Sequence, residues 1–377
     1  GADSIHPGFG FLSENSSFAK ICEEMGIKFI GPNYKLIDLL GNKSKAKETM
    51  KKAGVPVVPG SEGLIKSKEE AVSIAEQIKY PVMLKASAGG GGKGIRVAYN
   101  KDQLEKEYDL VKQEAKVSFN DDSLYLEKFI ENPRHVEIQI LADEHGNCIH
   151  LGERDCSIQR RNQKVLEETP SSILDDKTRK KMGEVAVNAV KEIGYSNAGT
   201  IEFLVDKNKD FYFMEMNTRV QVEHPVTESV TGIDIIKEQI KIASGEPLSY
   251  KQKDITFTGH SMEVRINAED PSKNFMPCPG KITDLHLPGG NGVRIDTAIY
   301  PGYTIPPYYD SMIAKIIVHG KNRDESIAKM KSAISELVVE GITTNADFIL
   351  KILEDKDFVS NNYDTSFISK KFEKNTK

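Results

Sequence analysis

Glu202 and Glu215 stand in two short apolar runs, Thr200 to Val205 and Phe211 to Asn217, separated by Lys207-Asn208-Lys209-Asp210. Their β-branched and aromatic content predicts two strands, and the polar tetrad predicts the turn between them. Symmetric pairing about that turn sets Val205 opposite Tyr212 and Glu202 opposite Glu215. Opposed side chains in a ladder have Cβ atoms ~4.5–5.5 Å apart, where like charges repel. Two acids so placed within apolar strands require a cation. An oxygen-only ligand set, without His or Cys, selects Mg²⁺ or Mn²⁺ over zinc. Asn217 lies two residues on, on the same face, as a third candidate ligand. A solvated surface hairpin is the plainer alternative, and the apolar company of both acids weighs against it. If the segment stays extended, Glu215, Asn217, Arg219, Gln221 and Glu223 share one side. A guanidinium there suits a planar anion such as bicarbonate or phosphate, and Glu223 beside it can take a proton.

The second chemical feature is Ala88-Gly89-Gly90-Gly91-Gly92-Lys93-Gly94, which follows the predicted strand Pro81 to Lys85. A dinucleotide fingerprint fits Gly89, Gly91 and Gly94 formally, but it needs a helix next, and Ile95 to Tyr99 alternates like a strand. A P-loop needs Ser or Thr after its lysine, where Gly94 stands. The remaining functional reading is a hairpin whose tip closes over nucleotide phosphates, since backbone N–H groups without side-chain bulk approach an anion closely. Lys43 and Lys85 become candidate phosphate clamps; Lys85 ends a strand expected to be buried, where a solvated lysine is out of place.

Alternating short strands and helices predict α/β and α+β layers. Helices are expected over 18–25, 43–53 (stopped by Gly54), from the Ser67/Glu70 capping box to Ile78, and over 177–193, 233–243 and 324–339. Strands are expected over 28–30, 260–266, 281–287 and 312–318, with linkers near 55–60 and 246–256. The 377 residues suffice for two or three domains. A composition of 38% hydrophobic and 28% charged residues, with net charge −5, predicts a globular protein that binds no nucleic acid and crosses no membrane. Four cysteines without a C-x-x-C pair predict reduced thiols and a cytoplasmic setting. Gly1 followed closely by strand-like residues predicts a chain that begins inside its first domain.

Together these stretches resemble the biotin carboxylase family, from about Ser4 to about Phe372. The resemblance rests on six motifs in family order: residues 6–15 (HPGFGFLSEN), 132–137 (NPRHVE), 153–161 (ERDCSIQRR), 215–224 (EMNTRVQVEH), 263–270 (EVRINAED) and 306–312 (PPYYDSM). It implies an ATP-grasp fold (43–246) with a mobile glycine-rich lid over about 58–129. Before it would lie part of an N-terminal α/β domain (1–42), and after it a biotin carboxylase C-terminal domain (247–377). It implies ATP contacts at Lys43, Lys85, Gly91, Gly92, His135, Gln159 and Asn162, with an adenine hinge at Glu127, Lys128, Phe129 and Ile130. The metal ligands would be Glu202, Glu215 and Asn217. The bicarbonate pocket would hold Lys164, Arg219, Gln221, Val222 and Glu223, and Arg265 would stabilise the biotin enolate. Phe9 replaces a frequent family Tyr near biotin, and Asn162 a ribose-binding His.

The implied reaction is ATP- and bicarbonate-dependent carboxylation of biotin through carboxyphosphate, as the first half-reaction of acetyl-CoA carboxylase. Partners would be a biotin carboxyl carrier protein, carboxyltransferase subunits and, in the full-length form, a second copy. Three alternatives stand beside this. The chain could serve a pyruvate or other acyl-CoA carboxylase, although Lys329-Met330-Lys331 is not a biotinyl Ala-Met-Lys-Met site. It could be an ATP-grasp ligase for another acceptor, or a non-catalytic nucleotide-binding scaffold.

Overall fold

The computed structural model describes residues 1–86, 95–119 and 121–373, and the chain divides into two compact units, Gly1–Val55 with Asn132–Lys377, and Pro56–Glu131. Among the described residues no helix is long and apolar enough to cross a membrane.

The larger unit opens with β1 (Ser4–Ile5), α1 (Ser16–Glu24) and β2 (Lys28–Phe29), the two strands pairing in parallel. Then come α2 (Tyr34–Gly41) and α3 (Lys43–Lys52). Asn15, Asn33 and Asn42 cap the three helices by accepting a backbone N–H three residues on, which satisfies a donor the helix itself cannot. The lysine-rich α3 buries only Ala46 and Met50. It stops where Gly54 takes φ +82°, a conformation that glycine adopts without strain.

The smaller unit contains α4 (Lys68–Ile78), β3 (Val82–Ala86), β4 (Ile95–Ala98), α5 (Lys101–Phe119) and β5 (Leu124–Lys128). Ser67 caps α4 through the Glu70 N–H at 3.2 Å, but the Glu70 carboxylate accepts from Lys66, one residue before the position a capping box uses. The antiparallel sheet runs β4-β3-β5. Val82, Leu84 and Ala86 bury on one face with Ala71, Val72, Leu104 and Val111 of the two helices. Lys85 therefore lies on the other, half-exposed face of β3, not in the buried setting expected from the sequence.

After Asn132 the chain builds one long sheet. It uses β6 (Arg134–Ala142), β7 (Cys148–Arg160), β8 (Gln163–Thr169), α6 (Asp176–Glu192), β9 (Asn197–Val205) and β10 (Phe211–Asn217). Helices α7 (His224–Thr231) and α8 (Ile235–Ala243) precede β11 (His260–Asn267). Short strands follow: β12 (Glu269–Asp270), β13 (Met276–Pro277), β14 (Gly280–Lys281) and β15 (Leu285–His286). Then come β16 (Val293–Thr297), β17 (Thr304–Ile305), β18 (Met312–Gly320), α9 (Arg323–Glu336), β19 (Val338–Val339) and α10 (Ala346–Glu354). The eight-stranded sheet has the order β10-β9-β6-β7-β8-β11-β18-β16, so β8 and β11 join the central and C-terminal segments directly.

Two expectations for the C-terminal segment need correction. The run 281–287 is not one strand: β14 pairs with β17 and β15 with β19, and the fully buried Ile282 lies between them. The helix begun at Arg323 ends at Glu336, because Val338 and Val339 pair with β15; β-branched residues favour that extended backbone.

Candidate active site

Alternation along the central strands sends apolar residues to one face and functional side chains to the other. On β6, Val136, Ile138 and Ile140 are core, while His135, Glu137 and Gln139 line up between them, all buried. Opposite Glu137 in the register is Arg154 of β7, and on its other side Glu202 of β9. Gln159 of β7 pairs with Lys164 of β8. His135, Gln159, Lys164 and Glu202, with the groups that follow β10 and with Arg265 of β11, line a cavity of about 920 Å³ within the larger unit.

Lys164 is the hub. Its ammonium donates to Glu137 Oε2 at 2.7 Å, Glu202 Oε1 at 2.9 Å and Glu223 Oε1 at 2.6 Å. Burial opposes the charge on Lys164, but these carboxylates prevail and hold its pKa well above the ordinary lysine value. Burial likewise opposes ionisation of Glu223, yet Lys164, Arg265 and Arg154 hold that carboxyl well below its ordinary range. Glu202 is also held below, against burial, by Lys164 and His135. Arg154, fully buried, bonds Glu137 at 2.5 Å, Gln139 at 2.7 Å and Gln221 at 2.7 Å. Such an array of paired charges is expensive to bury unless each partner is satisfied.

The acidic hairpin forms, by a different route from the one expected. Val205 pairs with Phe211, not Tyr212, because the turn is one residue tighter. A bulge at Met214 then restores the register, so that Glu215 does lie opposite Glu202. Asn217 joins them, its Nδ2 donating to Glu202 Oε1 at 2.9 Å. The three offer oxygen donors, as Mg²⁺ or Mn²⁺ requires, and lysines stand where cationic charge is needed: Lys164 beside Glu202, and Lys43 Nζ 3.4 Å from Glu215 Oε2. The donor set fits a hard divalent ion.

β10 ends at Asn217, so residues 215–223 do not continue as one extended strand. Arg219, Gln221, Val222 and Glu223 line the cavity all the same. Arg219 donates to Glu14 at 2.9 Å and to Asn217 Oδ1 at 3.0 Å. Gln221 bridges Glu202 and Arg154, and the Val222 carbonyl accepts from Lys315 at 2.5 Å. Arg265 donates to Glu167 at 2.7 Å and Glu223 at 2.9 Å. His135 lies 2.9 Å from Glu202 and 2.6 Å from the Gln159 amide. Asn162 holds φ +64° in the β7–β8 turn and lines the cavity.

Lys85, Glu127, Lys128, Phe129 and Ile130 belong to the smaller unit. There Lys85 and Glu127 form an ion pair at 2.5 Å, and Lys128 donates to the carbonyls of Lys79 and Tyr80 at 2.8 Å each. The Phe129 N–H donates to the Pro81 carbonyl at 3.0 Å, and Ile130 is half-buried. Gly91 and Gly92 lie outside the described residues.

Sequence reasoning missed Glu137, Arg154, Glu167 and Glu14. The period-two run His135-Val136-Glu137-Ile138-Gln139-Ile140 was a usable signal for Glu137. The partners of Glu14 and Glu167 depend on long-range register and left no local trace.

The match to known families covers nearly all of the chain. Residues 42–251 match the carbamoyl-phosphate synthase L chain ATP binding domain. With the carboxylate hairpin and the lysine hub, that match defines an ATP-dependent ligase of the ATP-grasp fold. Residues 1–37 match the biotin carboxylase N-terminal domain, and 263–370 the biotin carboxylase C-terminal domain. Biotin carboxylase 1 of Bacillus subtilis (strain 168) is 60% identical over 98% of this chain and 82% of its own length. The biotin carboxylase subunit of a pyruvate carboxylase superposes with a TM-score of 0.90 at 54% identity, over 98% of this chain and 82% of that one. A biotin carboxylase domain of 2-oxoglutarate carboxylase from Hydrogenobacter thermophilus, solved as a dimer with MgADP, ADP and bicarbonate, gives a TM-score of 0.86 at 52% identity, with the same coverages. The chain belongs to the biotin carboxylase family.

Proposed function

We propose that this chain carboxylates carrier-borne biotin as the first half-reaction of an acetyl-CoA carboxylase. A biotin carboxyl carrier protein would present the biotin, carboxyltransferase subunits would receive the carboxyl group, and two copies would form a homodimer. The four cysteines carry free thiols, which suits a cytoplasmic setting. The proposed division of labour is 1–42, 43–246 and 247–377, with a lid over about 58–129. Similarity to pyruvate and 2-oxoglutarate carboxylase components supports a second reading, in which the carboxyl group goes to a keto acid.

One observation carries the mechanism: the Glu223 carboxyl lies between Lys164 at 2.6 Å and Arg265 at 2.9 Å, within a cavity that Arg219 also lines. Bicarbonate entering beside Arg219 competes for the Lys164 ammonium. Glu223 then loses its closest cation and gains proton affinity, so it can take the bicarbonate proton. The oxyanion attacks the γ-phosphate of ATP and ADP leaves; the family resemblance assigns Lys43, Lys85, Gly91, Gly92, His135 and Gln159 to ATP contacts and Asn162 to the ribose. Glu127, Lys128, Phe129 and Ile130 would receive the adenine. Glu202, Glu215 and Asn217 would hold a divalent ion, which would supply positive charge against the phosphate oxygens. Gln221 and Val222 complete the bicarbonate pocket. Carboxyphosphate breaks to CO₂ and phosphate, phosphate removes the ureido proton of biotin, and Arg265 stabilises the enolate that captures CO₂.

The test measures ADP release and biotin carboxylation together. Arg265→Ala is expected to retain ATP binding and lose biotin carboxylation; unchanged turnover removes Arg265 from the reaction. Adding carrier and carboxyltransferase with acetyl-CoA, pyruvate or 2-oxoglutarate then decides the acceptor.

A further inference from the structure

Behind Arg265, away from the groups already assigned, lie two more acids. Glu263 of β11 and Glu167 of β8 are directly opposed in the antiparallel register, so they share one face of the sheet. Both are 0% exposed. Glu167 Oε1 receives both Nε of Arg265 at 2.7 Å and its Nη2 at 2.6 Å. Glu167 Oε2 and both oxygens of Glu263 are buried with no hydrogen-bond partner among the described residues. Their register places the two Cβ atoms ~4.5–5.5 Å apart, within reach of a carboxyl–carboxyl contact. Two buried carboxylates facing each other with empty acceptors are unfavourable. A proton on one of them supplies the missing donor and removes the repulsion.

The surroundings say which acid holds it. The cation nearest Glu263 is Lys315 of β18, 3.8 Å away, and Lys315 is shared with Asp296 at 3.5 Å and the Val222 carbonyl. Burial raises Glu167 too, to about 7, but Glu167 has the close guanidinium, which favours its charged form. The other charged groups around the pair are Glu223 and Lys164 on the cavity side, and His224 of α7 beyond Lys315. Burial, with Lys315 opposing it and Glu167 reinforcing it, pushes the Glu263 carboxyl well above its usual range.

We propose that Glu263 and Glu167 share one proton, resident on Glu263, and that this pair with a single negative charge is the positioning device for Arg265. Glu167 grips one edge of the guanidinium, and the proton from Glu263 fixes the Glu167 carboxylate in turn. The Arg265 Nη1 makes no hydrogen bond among the described residues and is left for a ligand. The inference rests on the biotin carboxylase reading above and names two residues that reading does not use.

Glu263→Gln keeps a neutral donor at the same place, and Glu167→Gln removes the gripping charge. Wild type is assayed first for bicarbonate-dependent ATP cleavage and biotin carboxylation; inactivity there would count against the functional reading and not against the pair. With an active wild type, Glu263→Gln is expected to keep biotin carboxylation near the wild-type rate at neutral pH. Wild type is expected to decline at alkaline pH as Glu263 ionises, and Glu263→Gln to lose that decline. Glu167→Gln is expected to lower kcat for biotin carboxylation on the order of 100-fold while leaving KM for ATP in place. An infrared carbonyl band of a protonated carboxyl, read on wild type at neutral pH and absent in Glu263→Gln, reports the proton itself. The proposal is overturned if wild type lacks that band, if Glu263→Gln loses as much activity as Glu167→Gln, or if it keeps the alkaline decline.

Discussion

Lys164 sets one positive charge among three buried carboxylates, and that imbalance makes it a structural as well as a chemical residue. Glu137 and Glu202 each have a second support, Arg154 for the first and Asn217, Gln221 and His135 for the second. Removing one partner of a buried ionic cluster leaves the others uncompensated, at a cost of about 3–5 kcal/mol. Lys164→Met should therefore lower stability by that amount in urea unfolding at pH 7. Adding Glu137→Gln should recover part of the loss, because one stranded charge goes with it. A loss below ~1 kcal/mol would mean that the arginines alone neutralise the cluster. From the sequence, the acids of the hairpin and the arginine–glutamate alternation after it were legible, since their neighbours are apolar and their spacing is regular. Lys164 itself stands in Asn162-Gln163-Lys164-Val165, an unremarkable turn and strand start, and only the family resemblance singled it out.

At the scale of elements, the hairpin shows why local pattern can succeed through compensating errors. The expected pairing of Val205 with Tyr212 was off by one, and the bulge at Met214 was invisible, yet the two displacements cancel at Glu215. Turn tightness and bulges depend on backbone geometry that residue type constrains weakly, whereas the need to bury Phe203, Phe211 and Phe213 on one face is strong. A second junction makes its own prediction. Glu168 of β8 ties three elements together: His260 of β11 at 3.3 Å, Arg323 of α9 at 2.8 Å, and the Tyr363 hydroxyl. Burial would raise its pKa, but His260 and Arg323 hold it at about 2 instead of an ordinary 4.5. A folded pKa below the unfolded one adds stability above pH 4.5, and this is lost as pH falls through about 2. That contribution is on the order of 3 kcal/mol. Glu168→Gln should be less stable than wild type by about this much at pH 7, and the gap should close as pH is lowered across that window. Parallel stability curves for the two proteins would sink the assignment.

At the scale of the molecule, the α/β class and a break near residues 55–60 were readable because helices, strands and a proline-rich linker alternate clearly. The single eight-stranded sheet was not readable. Its strand β7 is buried on nearly all of its length yet carries Glu153, Arg154 and Asp155 in succession, so no simple alternation marks it as a strand. The partnership of β8 with β11 spans nearly a hundred residues of sequence. The cores, once seen, divide cleanly. Ile65, Leu84, Leu104, Val111 and Leu126 form one cluster wholly inside Pro56–Glu131. Val264, Ile266, Ile316, Met330 and Ile352 form another in the larger unit. Residues that share a core open together, and residues in separate cores need not. Hydrogen exchange on the intact chain under rising urea should then give two opening free energies. The amides of Leu84 and Leu126 should converge on one, and those of Val264 and Ile316 on another. Convergence of all four amides on one value would show that a single cooperative transition spans both cores, and that their separation has no thermodynamic consequence.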